Sequence, residues 1–504
     1  MARKEAIVNW KMLLRVVGWL LLIEGAFMSL PLAMTLVYRE DSMPFLCAMA
    51  VTLVCGLLAT ACVRPTRFDM GKREGFLLTA LVWVVFSLFG MIPFMMCDSP
   101  LNFSDAFFEA MSGFTTTGAT TMLDTEVIGH GIHLWRSLMQ WIGGMGIILF
   151  TLAVLPMLNS SGGMQMFNAE VTGITHEKLR PRVSATAKRL WLVYLLLTIL
   201  LGVLYWLGPM DAFDSLCHSL STMSTGGFST KAESLQAWDS LYVKVVTTVF
   251  MFVGGVNFAL IFRASTGQFK AVWSNEVFKL YVWVIVVMFV IFDVALFINP
   301  DVPNTVGSLT IDPLFQIVST LSSTGYTVED FDGWGSFLLG AVIIMMFVGA
   351  CAGSTAGGAK LDRVVLLWKN SRNELYRCIY PNHILSVDVN RSAAPPEIIN
   401  KVMVFLSLYI GIIILGGALL TVCGASLGDA YFSAFACVSN SGLDAAISQN
   451  GGAYAQISDA GKWVLSFLML TGRLEIFTVL VILTPRFWHT RHRAFAPRSS
   501  LVVV

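Results

Sequence analysis

The chain has 504 residues, of which 56% are hydrophobic and only 13% charged, with a formal net charge of +1. A soluble protein carries about a quarter charged residues, so the chain reads as a polytopic membrane protein with little room for a separate soluble domain. A charge this close to zero gives no footing for nucleic-acid binding.

The first apolar run, 12–37, is long enough to span and contains Arg15 and Glu24. It is no cleavable signal, and its two charges are expected to snorkel or pair. Further spans are predicted at 44–63, 75–96, 134–157, 190–207, 241–262, 277–297, 403–422 and 464–483, with an interrupted one over 337–368. The nine cysteines include no CxxC pair and mostly sit in apolar runs, so they read as small core residues. His176 and Glu177 do not begin an HExxH motif, and no catalytic cluster is visible, so an enzyme is not expected.

Between the spans, four stretches resemble one another: DAFFEAMSGFTTTGA from Asp105, DAFDSLCHSLSTMSTGGF from Asp211, DPLFQIVSTLSSTGY from Asp312 and DAYFSAFACVSNSGL from Asp429. Gly118, Gly325 and Gly442 lie 13 residues after the first, third and fourth aspartates, whereas Gly226 lies 15 after Asp211, which implies a small insertion. Each stretch predicts a helix too short to span, entered at an aspartate cap, then a polar glycine turn. Such elements survive in a membrane only inside protein or beside water. The expected fold is all-α. Four units of span, pore helix, filter turn and span surround a central pore, with two extra N-terminal spans. The divisions are 1–70, 71–160, 161–265, 266–375 and 376–504. A ring of four turns can replace the hydration shell of K⁺ with backbone carbonyls. The competing reading is that the glycines merely cap helices.

Lysines and arginines number 25 in the loops on the N-terminal side and 3 (Arg39, Lys231, Lys462) on the side of the turns. The positive-inside rule then makes both termini cytoplasmic and turns the four glycine motifs outward. The segment 299–334 has no basic residue but has Asp301, Asp312, Glu329, Asp330 and Asp332, an acidic vestibule that would concentrate cations.

The interruption comprises Gly349, Ala350, Cys351, Ala352, Gly353, Ser354, Thr355, Ala356, Gly357 and Gly358, followed by Ala359 and Lys360. It is too glycine-rich for a continuous helix. It reads as a loop that blocks the permeation path, or as a plain turn between helices. Its GSTAGGAK is only superficially like a phosphate loop, because Leu361 follows the lysine and no strand precedes it. Arg473, inside the last span, is costly in lipid; the loop carbonyls or Glu475 are its expected partners.

WRSLMQWIGGMGIILF, STGGFST, GGVNFALIFR, GACAGSTAGGAKLDRV and GRLEIFTVLVILTPRFW, together with the four turns, resemble the superfamily of K⁺ transporters that includes TrkH, KtrB and plant HKT proteins. The extra N-terminal pair is most like the TrkH branch. The resemblance implies a homodimer in membrane lipid, one pore per protomer, and a cytoplasmic nucleotide-binding subunit of the TrkA type. The basic loops 158–189 and 360–401 read as simple anchors or as the natural contact surface for such a regulator. The resemblance also implies K⁺ as the transported ion, with no organic cofactor; the compact loops suggest a bacterial cytoplasmic (inner) membrane. Carried over, the filter is Thr116, Thr117, Gly118; Ser224, Thr225, Gly226; Ser323, Thr324, Gly325; and Asn440, Ser441, Gly442. The loop and Arg473 take the gating role. Glycine rather than serine at 118 favours K⁺; a Na⁺-coupled or Na⁺-conducting relative is the alternative.

Overall fold

The computed structural model describes residues 8–63, 71–122, 125–144, 146, 183–299, 305, 307–328, 331–383, 385–390, 392–443 and 453–489. The second half of the predicted span 134–157, most of the basic loop 158–189, His176, Glu177, Asp301, Glu329 and Asp330 lie outside them.

The described residues are mostly helical, with irregular turns and loops between the helices and a small hairpin of Asp388–Val389 and Ser392–Ala393. Among the described residues, six helices are long and apolar enough to cross a membrane: Trp10–Tyr38, Met43–Ala61, Lys72–Met96, Arg189–Trp206, Glu276–Ile298 and Pro396–Val422. The first two form the N-terminal pair. They approach closely because Gly18 and Gly56 face each other; a β-carbon added to either would lie 3.0 Å from the other's carbonyl oxygen.

Each of the other four begins a unit with the same order. The spanning helix is followed by a short helix, a turn and a second long segment. The short helices are Phe103–Phe114, Ala212–Met223, Asp312–Leu321 and Leu427–Val438. At 1.5 Å per residue, 10–12 residues cover about half of the hydrocarbon thickness. Three are capped three residues before an aspartate: Asn102, Asp211 and Ser426 accept from the backbone N–H of Asp105, Asp214 and Asp429.

The closing segments are where expectation and structure part. The predicted spans 241–262 and 464–483 are not continuous. Leu241–Gly254 and Phe258–Ser265 meet at 107°, and Asp459–Arg473 and Phe477–Leu483 at 118°. Only the break between Ser336–Val348 and Leu361–Ile379 is expected from the sequence. The other breaks fall between Gly254 and Phe258 and between Arg473 and Phe477. After the first, Asn257 caps the next helix by accepting from Ala259 N at 2.8 Å. Hydropathy does not register these bends, because apolar residues continue on both sides.

Candidate functional site

All four short helices end in the same way. In the first, Thr116 N donates to Gly113 O and Thr117 N to Ser112 O. Thr225 and Gly226, Ser323 and Thr324, and Asn440 and Ser441 repeat this pair of bonds. This is a Schellman ending, whose left-handed residue is usually glycine. Here it is Thr116, Thr225, Ser323 and Asn440, at φ 54°, 53°, 53° and 51°. Holding such residues left-handed costs about 1–2 kcal/mol each, so the surrounding structure must over-determine the turn. The recurring glycines therefore are not the helix caps; they lie two residues further on.

This pattern corrects the register of the second turn. The glycines that take positive φ at the matched position are Gly118, Gly227, Gly325 and Gly442, at 84°, 82°, 80° and 58°. Gly227, not Gly226, is the partner of the other three, and Ser224 is the helix C-cap, like Thr115, Ser322 and Ser439. Gly227 lies 13 residues after Asp214, so the apparent insertion disappears. Asp211 misleads the alignment because it is the cap and Asp214 the residue equivalent to Asp105.

The four glycines close a ring. A β-carbon added to Gly118 would sit 2.1 Å from Gly226 O, one on Gly227 1.9 Å from Thr324 O, one on Gly325 2.1 Å from Ser441 O, and one on Gly442 2.0 Å from Thr117 O. Each turn thus presses its glycine on the carbonyl preceding the next turn's glycine, and the fourth returns to the first. No side chain fits at these positions, and the contact is with backbone, which cannot swing aside. The ring is buried: Thr116, Thr117, Thr225, Ser323, Thr324, Asn440 and Ser441 are all at most 2% exposed. Four helix C-termini, with their partial negative charge, converge on it.

Buried charges brace the ring from outside. Lys244 pairs with Asp312 at 2.7 Å, and Lys462 with Asp105 at 2.5 Å. Each joins the closing segment of one unit to the short helix of the next, at the second-to-third and fourth-to-first junctions. Asp312 is therefore a buried, paired carboxylate and no part of a free acidic vestibule. Arg136 pairs with Glu109 at 2.8 Å, stacks over Phe228 at 4.2 Å and donates to Thr120 Oγ1. Glu109 in turn accepts from Thr121 N, so the pair clamps the strand that leaves the first turn. None of these partners is legible from sequence spacing. Glu24, by contrast, is buried with both carboxylate oxygens lacking a hydrogen-bond partner among the described residues.

The segment 349–360 packs directly against the turns. Gly357 N donates to Ser323 Oγ at 2.5 Å and Gly358 N to Ser439 O at 2.9 Å. Thr355 Oγ1 reaches Gly254 O at 3.2 Å, Asn257 Nδ2 donates to Ala352 O at 2.7 Å, and Phe258 N to Gly353 O at 3.0 Å. Ala350, Cys351, Ala352 and Ala356 are buried, so this is no exposed turn between helices. Arg473 completes the arrangement: Nη1 donates to Thr355 O and Nη2 to Gly143 O, both at 2.9 Å. Of its two expected partners, the loop carbonyl receives it; Glu475 also pairs with Arg363. Of the cysteines, Cys217, Cys351 and Cys437 are buried and Cys62 and Cys378 exposed.

The family profile described as TrkH, cation transport protein, matches residues 42–490. The chain belongs to the TrkH family. Proteins similar to it include the Trk system potassium uptake protein TrkH of Escherichia coli K12, 35% identical over 95% of this chain and 100% of that protein. The TrkH protein of Vibrio parahaemolyticus is 35% identical over 96% of this chain and 100% of its own length. TrkG of Escherichia coli is 29% identical over 94% of this chain and 97% of its own length. The crystal structure of the potassium transporter TrkH from Vibrio parahaemolyticus superposes with a TM-score of 0.86 and 34% identity, covering 95% of this chain and 100% of that one. The family is one of transport rather than catalysis, and the chain is a multi-pass membrane protein of that family.

Proposed function

We propose that the chain takes up K⁺ across a bacterial cytoplasmic membrane through a filter made by the four turns. The observation that carries this is the closed ring of glycine-to-carbonyl contacts. A ring built from backbone, with one matched position per unit, is what a bare cation needs in place of water. Its members are Thr116–Thr117–Gly118, Thr225–Gly226–Gly227, Ser323–Thr324–Gly325 and Asn440–Ser441–Gly442, with K⁺ held by backbone carbonyls. The names of the relatives support potassium as the ion.

The loop 349–360 is the gate in this reading. It touches the third and fourth turns and the broken segment of the second unit, and Arg473 ties it to Gly143 of the first. Opening requires it to leave all of them. The lysine and arginine bias supports cytoplasmic termini. A homodimer and a cytoplasmic nucleotide-binding subunit of the TrkA type are the partners that would move it.

The test is cation flux into liposomes holding the purified protein, comparing K⁺, Rb⁺, Na⁺ and Li⁺. Flux of K⁺ and Rb⁺ well above Na⁺ and Li⁺ is the expected result. Equal flux of all four overturns the selective filter. Flux of K⁺ that appears only with a Na⁺ gradient would establish coupling instead.

A further inference from the structure

Three of the four turns brace themselves with their own hydroxyls. Thr115 Oγ1 and Thr117 Oγ1 lie 2.8 Å apart, Ser322 Oγ and Thr324 Oγ1 2.7 Å, and Ser439 Oγ and Ser441 Oγ 3.1 Å. The second turn has no such pair, because the matched residue is Gly226. Ser224 Oγ donates back into its helix, to Leu220 O and Ser221 O, as the matched hydroxyls of Thr115, Ser322 and Ser439 also do.

The vacant place is filled by Gln140, a wholly buried residue of the helix His130–Gly144 in the preceding unit. Its Nε2 donates to Gly226 O at 2.7 Å, and its Oε1 accepts from Ser221 Oγ at 2.6 Å and Phe228 N at 3.2 Å. The backbone partners fix the amide's orientation: a carbonyl needs the NH₂ and an N–H needs the oxygen. A β-carbon at Gly226 would lie 2.3 Å from Gln140 Cδ and 2.4 Å from Oε1, and the three nearest atoms are all Gln140's. Glycine at 226 and glutamine at 140 are thus two halves of one fit. The carbonyl that Gln140 holds is also the one that faces Gly118 across the ring.

We propose that Gln140 is a positioning residue that determines ion specificity: lent by the neighbouring unit, it holds Gly226 O in the ring, in the turn that lacks the hydroxyl pair by which the other three fix the matched residue. The inference rests on the four turns being the filter. A ring of this kind discriminates by how firmly its carbonyls keep their places. A freed carbonyl would relax toward a smaller ion or admit water.

A double-mutant cycle on the full-length protein in liposomes tests it, reading the K⁺ to Na⁺ flux ratio. Gln140→Ala is expected to lower the ratio about fivefold or more, because a buried acceptor loses its donor. Gln140→Met, which keeps the volume without the amide, is expected to do the same. Gly226→Ser alone collides with Gln140 and is expected to lower the ratio too. Gly226→Ser with Gln140→Ala gives the introduced hydroxyl room to face Ser224 as in the other three turns, and is expected to recover the ratio to within about twofold of the parent. A parental ratio in Gln140→Ala or in Gln140→Met, or a double variant no better than Gln140→Ala, overturns the inference. Gly325→Ala, across the ring, separates the two levels. If it loses discrimination while the Gln140 variants keep it, only this inference falls. If neither changes, the filter reading falls with it.

Discussion

The ring of turns and the loop packed against it are built on opposite plans. The ring takes one matched segment from each of four units, uses backbone on backbone, and repeats its hydrogen bonds at every corner. The loop comes from one unit alone, and among the described residues it is tied to the first by the Arg473 side chain. A selective site needs equivalence around an axis; an element that moves needs contacts that can be released without dismantling the ring. The end of the helix Asp459–Arg473 shows how the two plans coexist. Gly143 and Gly472 both lie against the last carbonyl of their unit's short helix, with added β-carbons 1.8 Å from Phe114 O and 2.1 Å from Val438 O. The next residue is Gly144 in the first unit and Arg473 in the fourth, so the symmetry is broken at one position and in favour of the loop.

The sharpest way to break this comparison is at the ring. Gly227→Ala places a methyl group against Thr324 O at 1.9 Å and demands a positive φ of a residue that avoids it. Uptake of K⁺ or its preference over Na⁺ is expected to be lost. Gly118→Ala and Gly442→Ala should match it, since each meets backbone at about the same distance. The register correction becomes testable here. Gly226→Ala meets only the Gln140 side chain and needs no positive φ, so it is expected to be the milder change. If Gly226→Ala proved worse than Gly227→Ala in flux assays, the assignment of the second turn would be wrong.

Next in size is the loop. Arg473→Gln removes a charged tether between Thr355 O and Gly143 O. Charged hydrogen bonds are worth about 1.5–3 kcal/mol, so a closed loop should open tenfold or more often. The expected outcome is a higher resting K⁺ flux with an unchanged K⁺ to Na⁺ ratio. A fall in the ratio with no rise in flux would move Arg473 from the loop's plan to the ring's.

The buried pairs come third. Lys244→Met leaves the buried Asp312 unpaired, and Lys462→Met removes the partner of the partly buried Asp105, with the smaller effect. Breaking a buried pair costs about 3–5 kcal/mol, which should lower the thermal midpoint in detergent. The equivalent positions in the other two units are His133 and Leu339, ten residues before Gly143 and Gly349 as Lys244 and Lys462 stand before Gly254 and Gly472. His133 bonds Thr125 O instead of an aspartate. The staples therefore alternate round the ring, and Leu339→Ala, with no charge to strand, is expected to shift the midpoint least.

What is legible in the sequence is what is local. Span positions come from apolar runs, and the four turns come from a motif within 15 residues. The helix endings escape such a reading because a Schellman turn with threonine, serine or asparagine at the left-handed position has no glycine to mark it. The register of the second turn escapes it because Asp211 and Asp214 are both plausible anchors three residues apart. The bends after Gly254 and Arg473 are hidden because hydropathy sums over them. Gln140 and Gly226, 86 residues apart, meet only through the fold, as do Lys462 and Asp105. Spacing carries no trace of such pairs.

The smallest expected effect lies in the connection between the two N-terminal helices, which belongs to neither plan. Glu40 accepts from His130 N at 2.7 Å and Gly131 N at 3.1 Å, satisfying the first donors of the helix that carries Gln140, and meets the His130 ring at 2.7 Å. Burial pushes its carboxyl up, but these hydrogen bonds and the imidazole outweigh it and leave the group below its ordinary value. A lowered carboxylate adds stability above the unfolded value, near pH 4, and loses it as the pH falls through the folded one. Glu40→Gln is therefore expected to lower the thermal midpoint slightly at neutral pH, and the difference from the parent should vanish in acid. The K⁺ to Na⁺ ratio should not move, because the ring is braced by Gln140 and the hydroxyl pairs further along. A changed ratio in Glu40→Gln would mean that this cap reaches the filter through its helix, and that the N-terminal pair shares in the ring.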